Sequence, residues 1–322
     1  MLHIKALPVS ICFLIFISCA TEDDNKTKDH ILTERDLIPE GVAFDEETQT
    51  IYIGSTYKRK IISIGKDGSV ADFISEAQDD IKSVIGMEVD EKRNCLWAIS
   101  CEAADVLPLK DPGKSQWTSS VYQFSLSDGK LIKKYSLNKD SVFLNDLTVA
   151  DDGTVYVTES VQKGVYTVRP DMDSLKLFLE LGAPYQFING ICFTDRPGFL
   201  FVASTEGIIK IDLSNKKYSL VPETGSLKAL DIDGLAFWNN YFIAHQSSAL
   251  TRFYLSPARD SIIKADTLNT GKEFDASTTG EVAKGNYYFI VNSQIQSGID
   301  YTNKKIKPID SLSDIIIRKI KL

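Results

Sequence analysis

Four residues with oxygen-bearing side chains occupy equivalent places in a repeated sequence phrase. Glu40, Asn145, Asn189 and Asp233 each begin a run in which apolar and other residues alternate. Carboxylate and amide oxygens, without histidine or thiolate, suit a hard cation, and Ca²⁺ accepts about six to eight such ligands in flexible geometry. Zn²⁺ would normally recruit nitrogen or sulfur. These residues therefore predict a site for Ca²⁺ or another divalent cation.

The phrase that carries these residues occurs six times. An alternating apolar run, a polar turn and a second alternating run begin at residues 40, 85, 145, 189, 233 and 279. Alternation with period two on both sides of a short polar turn predicts β-hairpins. The copies are 44 to 46 residues apart, except for one step of 60. Four short strands at that spacing are typical of a propeller blade, so we predict an all-β, six-bladed β-propeller.

In a propeller, the first strand of each blade lines the central channel. The six residues that begin the copies should therefore face one another at one end of that channel. Dipeptides such as Asn189-Gly190 are also common in turns. Four oxygen-bearing residues at the same position of the repeat nevertheless favour a ligand site. Antiparallel pairing brings the end of the second strand to the same place. We therefore expect pocket or supporting roles for three polar residues there: Glu159, His245 and Asn292.

The step of 60 residues places an insertion between the second and third strands of one blade. It covers residues 102–119, contains Pro108, Pro112 and Trp117, and should emerge beside the predicted site. We expect a lid or wall over the pocket, with Trp117 as a candidate substrate contact. A passive surface loop is the alternative.

The blade openings resemble those of the senescence marker protein/gluconolactonase/luciferin-regenerating-enzyme family, whose architecture diisopropyl fluorophosphatase and paraoxonase share. The resemblance extends from about residue 37 to the C-terminus and rests on Pro39-Glu40-Gly41, Asn145-Asp146, Asn189-Gly190 and Asp233-Gly234. It implies that Glu40, Asn189 and Asp233 hold a catalytic divalent metal. It also implies that Asn145 is a metal or substrate ligand and that Asp233 is the general base or nucleophile.

Phe143 departs from the family pattern. Sugar-lactone members carry an arginine two residues before the asparagine that aligns with Asn145, and Phe143 occupies that position here. Arginine donates several hydrogen bonds to a hydroxyl-rich substrate, whereas phenylalanine donates none. We therefore expect a more apolar lactone or ester than gluconolactone.

Three functional interpretations remain. The first is a divalent-metal-dependent hydrolase of a lactone or ester, in which the metal polarises the carbonyl and Asp233 activates water or attacks directly. The second is a non-catalytic propeller lipoprotein that binds a small molecule or peptide, since architecture alone does not specify chemistry. The third is a purely structural protein, which would bind no metal.

Residues 1–18 predict a signal peptide. Their apolar run from Ala6 to Ser18 is too short to span a bilayer core of about 30 Å but suits a signal sequence. Cys19 follows in the sequence FISCA, which resembles a bacterial lipobox; an ordinary secretory signal is the alternative. We expect residues 19–30 to form a lipidated, flexible tether and residues 31–322 to form the propeller. This predicts an envelope lipoprotein anchored in the outer membrane, facing the periplasm or the cell surface.

The charge of the chain excludes some partners. The 322 residues include 36 Lys and Arg against 44 Asp and Glu, a net charge of −8, with no basic block. This argues against nucleic acid and against charge-driven binding to anionic lipid. We expect a small-molecule substrate, membrane attachment through the lipid anchor only, and a monomer, because six blades close their own ring.

Overall fold

The six copies of the phrase form the inner strands of six sheets around a central channel. A computed structural model of the protein describes residues 27–102, 118–137, 139, 141–246 and 248–322. Within these ranges, each sheet has four antiparallel strands. The inner strand of each sheet contacts those of both neighbours, and the last contacts the first. The predicted six-bladed β-propeller is confirmed.

The strands are numbered along the chain, and β1 (Lys28–Leu32) precedes the first blade. Blade 1 consists of β2 (Pro39–Asp45), β3 (Thr50–Ser55), β4 (Lys60–Ile64) and β5 (Val70–Ile74). Blade 2 consists of β6 (Ser83–Asp90), β7 (Cys95–Glu102), β8 (Thr118–Ser125) and β9 (Leu131–Leu137). Blade 3 consists of β10 (Leu144–Val149), β11 (Val155–Glu159), β12 (Gly164–Val168) and β13 (Lys176–Glu180).

The second half of the chain continues the pattern. Blade 4 consists of β14 (Ile191–Phe193), β15 (Phe199–Ser204), β16 (Gly207–Asp212) and β17 (Tyr218–Leu220). Blade 5 consists of β18 (Leu235–Trp238), β19 (Tyr241–Gln246), β20 (Ala249–Leu255) and β21 (Ile262–Thr270). Blade 6 begins with β22 (Gly280–Ala283) and β23 (Asn286–Ile290); a small hairpin of β24 (Ile299–Asp300) and β25 (Lys305–Ile306) precedes β26 (Ile315–Lys321). Short 3-10 turns lie at Arg35–Leu37, Gln78–Asp80, Glu91–Arg93 and Ile309–Ser311.

Both ends of the described chain complete blade 6. Its strand order is β22, β23, β26 and β1, so the C-terminal strand is third and the N-terminal strand outermost. Strand β1 pairs along its whole length with β26, from Lys28 opposite Lys319 to Leu32 opposite Ile315. Residues 28–30, at the end of the predicted tether, thus belong to the propeller.

Apolar side chains fill the spaces between blades. Tyr52 of blade 1 packs with Leu96 of blade 2, and Ile243 of blade 5 packs with Phe289 of blade 6. Successive residues of a strand face opposite sides of its sheet, so alternating apolar residues supply both interfaces, and their burial stabilises the fold. No helix in the described part of the chain has the length and apolar character to cross a membrane.

Candidate metal centre at the mouth of the channel

The residues that begin the six copies meet at one end of the channel. They line one cavity of about 10 Å³, which is the space of about one water molecule or ion. We call these six residues the entrance ring: Glu40, Ile85, Asn145, Asn189, Asp233 and Thr279. The structure thus places all four predicted metal ligands around a common space.

Irregular backbone at the start of the inner strands aims these side chains at the channel. The β2–β3 ladder is interrupted at Glu40 and Gly41, and the β10–β11 ladder at Asn145 and Asp146. A bulge bends its strand and redirects side chains, and bulges are frequent beside active sites. In blades 4 and 5, the regular inner strand begins only after the entrance-ring residue.

A left-handed residue stands two positions before three members of the entrance ring. These residues are Ile38 with φ 44°, Phe187 with φ 43° and Asp231 with φ 50°. Positive φ is strained for a branched or bulky side chain such as isoleucine or phenylalanine, and such strain is frequent at functional sites. The three turns redirect the chain just before a candidate ligand.

Glu40 has a buried oxygen with no partner. Its side chain is 8% exposed, and its Oε2 accepts no hydrogen bond from the described residues. Burial raises the pKa of Glu40 well above its usual range, and the nearby carboxylates of Asp233 and Asp146 raise it further. A buried carboxylate oxygen without a donor is costly, and a cation would relieve both the desolvation and the repulsion.

Asn189 and Asp233 are joined directly. The side-chain amide of Asn189 donates a hydrogen bond of 2.6 Å to Asp233 Oδ1. Burial raises the pKa of Asp233 to about 7, although this hydrogen bond acts in the opposite direction. The second oxygen, Oδ2, accepts no side-chain hydrogen bond within the described ranges and is available to a ligand or a proton.

The orientation of the Asn145 amide follows from its neighbour. Ser160 Oγ donates to the carbonyl oxygen of Ile188 at 2.6 Å. It must therefore accept the hydrogen bond of 3.0 Å from Asn145 Nδ2, because a hydroxyl has one proton. The side-chain nitrogen of Asn145 therefore donates to Ser160, and the side-chain carbonyl oxygen of Asn145 is available to a cation.

Asp146 is a candidate functional residue that the sequence analysis did not identify. In five copies a glycine follows the entrance-ring residue, and its smallness is required: a Cβ on Gly41 would lie 2.1 Å from the carbonyl oxygen of Ile85. Blade 3 has Asp146 instead, and its carboxylate accepts hydrogen bonds from the backbone of Leu147 and Ile191. Burial raises the pKa of Asp146 to about 7. This break in the glycine pattern was the available signal.

Asp146 also lines a second cavity further along the channel. This cavity of about 260 Å³ contains Glu88 and Glu281 as well. Burial raises the pKa of both glutamates, that of Glu281 to about 8, and neighbouring carboxylates add to the shift. Among the described residues, no three His, Cys, Asp or Glu side chains form a metal cluster by themselves. The candidate centre therefore depends on the amide oxygens of Asn145 and Asn189.

Glu159 lies behind the entrance ring. It is fully buried and accepts hydrogen bonds from the backbone amides of Phe143, Val161 and Gln162 at 2.8, 3.1 and 2.6 Å. Through these hydrogen bonds, the Glu159 carboxylate connects the loop after β11 to the segment before β10. This arrangement makes Glu159 a support for Phe143 rather than a wall of the cavity.

His245 and Asn292 are also placed in structural networks. His245 is fully buried between blades 5 and 6, with Nδ1 2.9 Å from Ser277 Oγ and Nε2 2.7 Å from the hydroxyl of Tyr287. Burial lowers the pKa of His245 to about 3, so the ring is neutral. The Asn292 side chain donates a hydrogen bond to the carbonyl oxygen of Asp314 and accepts one from the backbone amide of Ile316. Neither side chain lines the entrance cavity.

An apolar groove lies beside the entrance ring. It has a volume of about 550 Å³ and is lined by Ser160, Val161, Lys163, Ala183, Pro184, Tyr185, Gln186 and Phe187. Phe143 is buried beneath it, and its ring stacks on the 47% exposed Phe187 with centroids 6.4 Å apart. The groove and the entrance cavity have no lining residue in common, but Ser160, which lines the groove, accepts a hydrogen bond from Asn145 of the entrance ring. Trp117 and Cys19 lie outside the described residues.

Solved structures share this fold at low sequence identity. A gluconolactonase from Xanthomonas campestris superimposes with a TM-score of 0.61 over 92% of this chain and 90% of its own, at 13% identity. Regucalcin, a calcium-binding protein from Agrobacterium tumefaciens, superimposes with a TM-score of 0.59 at 11% identity, over 91% of this chain and 94% of its own. Virginiamycin B lyase from Staphylococcus aureus superimposes with a TM-score of 0.56 at 13% identity, over 92% of this chain and 99% of its own.

These similarities establish the fold alone, and proteins with this fold have different activities. No protein-family model and no curated protein matches the sequence. The resemblance to the senescence marker protein/gluconolactonase family therefore holds at the level of the fold.

Proposed function

We propose that this protein is a divalent-cation-dependent hydrolase of a lactone or ester, with Ca²⁺ as the favoured ion. The observation that carries the proposal is the convergence of four oxygen-bearing side chains, from four blades, on one ion-sized cavity. The unpartnered Glu40 Oε2 supports it, and an all-oxygen donor set fits a hard cation. Bound there, the cation would polarise a substrate carbonyl as a Lewis acid.

Asp233 is the proposed base. Its Oδ1 is held by Asn189, and this leaves Oδ2 to take a proton from an attacking water. The hydrogen bond fixes the direction of the carboxylate, so that the proton acceptor and the candidate cation share one small space. The loss of a positioned base typically costs about 10²- to 10⁴-fold in rate.

The aromatic side chains favour an apolar substrate group. Phe143 occupies the position at which sugar-lactone enzymes of the similar family carry arginine, and Phe187 extends its aromatic surface into the open groove. Neither ring donates a hydrogen bond to a hydroxyl. We propose that the groove accepts an apolar or aromatic substituent of the ester or lactone.

The test is hydrolysis by the purified full chain. A panel of aryl esters, apolar lactones, gluconolactone and phosphoesters would be assayed with Ca²⁺ and again after chelation. We expect turnover of an apolar ester or lactone that disappears on chelation, together with about one equivalent of bound divalent metal per chain. Turnover that survives complete metal removal would exclude the proposed chemistry.

The groove also favours a second candidate function, capture of an apolar small molecule without catalysis. In that case the panel would show no turnover with Ca²⁺ present, although a ligand would bind the groove measurably. Substitution of Asp233 would leave that affinity unchanged, whereas substitution of Phe187 would reduce it.

We further propose that the protein is an envelope lipoprotein attached through Cys19. The apolar run before Cys19 and the lipobox-like sequence around it support this proposal. Metabolic labelling with a palmitate analogue should mark the wild-type protein and not Cys19→Ala. Equal labelling of both would contradict attachment at Cys19.

A further inference from the structure

A further pocket, separate from the two channel cavities and the apolar groove, lies on the face opposite the entrance ring, between blades 6 and 1. Strand β2 runs away from the entrance ring to Asp45, and Phe44, near its far end, lines this pocket of about 230 Å³. We call it the lysine pocket after its basic residues: Lys28, His30, Lys66 and Lys319. It is remote from the proposed hydrolytic site, and nothing in the proposed function uses it.

The lysine pocket is locally positive in an acidic protein. No carboxylate lines it, although the chain carries a net charge of −8. Within the described ranges, none of its three lysines forms an ion pair. Two nearby acidic residues are engaged elsewhere: Asp29 with Arg318 at 2.8 Å, and Glu46 with the backbone of Lys284.

Two of the lysines are placed directly opposite each other. Lys28 of β1 and Lys319 of β26 are register partners in an antiparallel pair, an arrangement in which like charges destabilise the sheet. His30 lies two residues along β1 and therefore on the same face. Burial lowers the pKa of His30 and the positive charges of Lys28 and Lys319 lower it further, whereas the neighbouring Asp29 carboxylate acts in the opposite direction. An anion in the pocket would relieve this repulsion.

The floor of the pocket is aromatic. The rings of Phe44 and Tyr288 stack with centroids 4.5 Å apart, and the Lys319 ammonium lies 5.7 Å from the centroid of Tyr288. The pocket therefore combines several cationic donors with an apolar surface. This combination suits a charged group attached to a larger organic part.

We propose that the lysine pocket binds a phosphate group. A phosphate monoester carries about −1.5 to −2 charges at neutral pH and three acceptor oxygens, and it therefore suits a pocket lined by several ammonium groups better than a single carboxylate does. The phosphate could belong to a soluble phosphomonoester or to a lipid whose headgroup is itself a phosphomonoester. The second source is near if Cys19 carries a lipid, because Lys28 enters the fold nine residues later, at this face.

The test is titration of the full chain, labelled with ¹⁵N-histidine in nonionic detergent, with inorganic phosphate. We expect saturable movement of the His30 imidazole signals and a higher pKa for His30, since a nearby anion favours the protonated ring. The variant His30→Gln assigns the signal. Acetate at equal ionic strength should bind at least about tenfold more weakly.

Matched lysine variants distinguish phosphate binding in the pocket from a general attraction of phosphate to the positive charge of this face. Lys319→Gln should weaken phosphate binding about tenfold, because a charge-assisted hydrogen bond is lost. Lys321→Gln removes a charge from the same strand outside the pocket and should change the affinity less than twofold. Hydrolysis at the channel mouth should be unchanged in both variants. Equal weakening by both variants, an equal response to acetate, or no saturable response to phosphate would overturn the proposal.

Vesicles distinguish the two sources of phosphate. The Cys19→Ala chain, which lacks the proposed anchor, would be sedimented with vesicles of phosphatidic acid and phosphatidylcholine, and with vesicles of phosphatidylcholine alone as the control. Retention that Lys319→Gln abolishes and Lys321→Gln preserves supports the pocket with a lipid headgroup as its ligand. Phosphate binding without retention supports the pocket with a soluble phosphomonoester.

Discussion

The side chains of Asn189 and Asp233, 44 residues apart in the sequence, form one hydrogen bond of 2.6 Å across the interface of blades 4 and 5. A backbone hydrogen bond also joins the two blades: Gly190 N donates to the carbonyl oxygen of Asp233 at 2.8 Å. The position of the proposed base is therefore set by the neighbouring blade as well as by its own strand.

Replacing the base should remove turnover while preserving the fold. Asp233→Asn keeps an oxygen that can accept the Asn189 hydrogen bond but cannot take up a proton. We expect kcat to fall at least about a hundredfold, with an unchanged circular dichroism spectrum. Asp231→Asn is the matched control, since Asp231 is exposed and asparagine tolerates its left-handed backbone. Similar kcat values for the two variants would remove Asp233 from the mechanism.

Calcium should stabilise the protein more at higher pH. The pKa of Asp233 and of Asp146 is about 7 in the folded chain, against about 4 for an unfolded carboxyl. The metal-free fold favours the protonated forms, so the contribution of these groups to stability falls as pH rises from about 4 to about 7. Calcium binds the charged forms and opposes this loss.

Thermal melts at pH 5 and pH 7.5, with chelator and with calcium, measure this effect. We expect the calcium-induced rise in Tm to be larger at pH 7.5. At a calcium concentration of about 100 times Kd, the stabilisation is about 2.7 kcal/mol. Glu40→Gln should abolish most of the rise and should increase the Tm of the metal-free protein, because it removes the unpartnered buried carboxylate. A rise in Tm that is equal at both pH values would contradict the assignment of these carboxylates.

The sequence predicts the blades and the entrance ring well, because both depend on periodicity. Alternation with period two and a constant phase of the repeat determine which residue begins each inner strand. The sequence alone therefore assigns Glu40 and Asp233 to one place. The closure of blade 6 by two terminal strands is a long-range pairing, which no local pattern specifies.

The same periodicity does not show which way the polar residues of the second strand face. Glu159 pairs with Leu144, whereas Asn145 and Asp146 lie within the bulge. Side chains directly opposite each other share one face of a sheet, so Glu159 faces the interior between blades with the fully buried Leu144. A bulge shifts the alternation on one strand only, and its presence could not be read from the spacing of polar residues.

The exposed ring of Phe187 should determine affinity for an apolar substrate. Phe187→Ala removes the open wall of the groove, and we expect KM for an aryl ester or apolar lactone to rise about tenfold, with kcat changed less than threefold. Because the ring is 47% exposed, the variant should remain folded. Leu177→Ala is the control, since Leu177 is also 47% exposed but lies on β13, outside the groove. An unchanged KM in Phe187→Ala would place the substrate elsewhere.

His245 should contribute to stability and not to catalysis. Ser277 Oγ donates to the carbonyl oxygen of Ile290 and therefore accepts from His245 Nδ1, which leaves Nε2 to accept from Tyr287. His245→Ala leaves buried polar partners unsatisfied and opens a cavity. We expect a loss of about 2 to 4 kcal/mol in the free energy of unfolding, with kcat within about threefold of wild type.

The pH dependence of that loss has a definite sign. With a folded pKa of about 3 and an unfolded value of about 6.5, the neutral ring stabilises the fold fully above pH 6.5, and this contribution declines as pH falls toward 3. The difference in unfolding free energy between wild type and His245→Ala should therefore shrink between pH 7 and pH 4, as measured by urea denaturation. Gln246→Ala, which changes the adjacent, partly exposed residue, should show no such trend. A difference that grows on acidification would mean that His245 is charged in the folded protein.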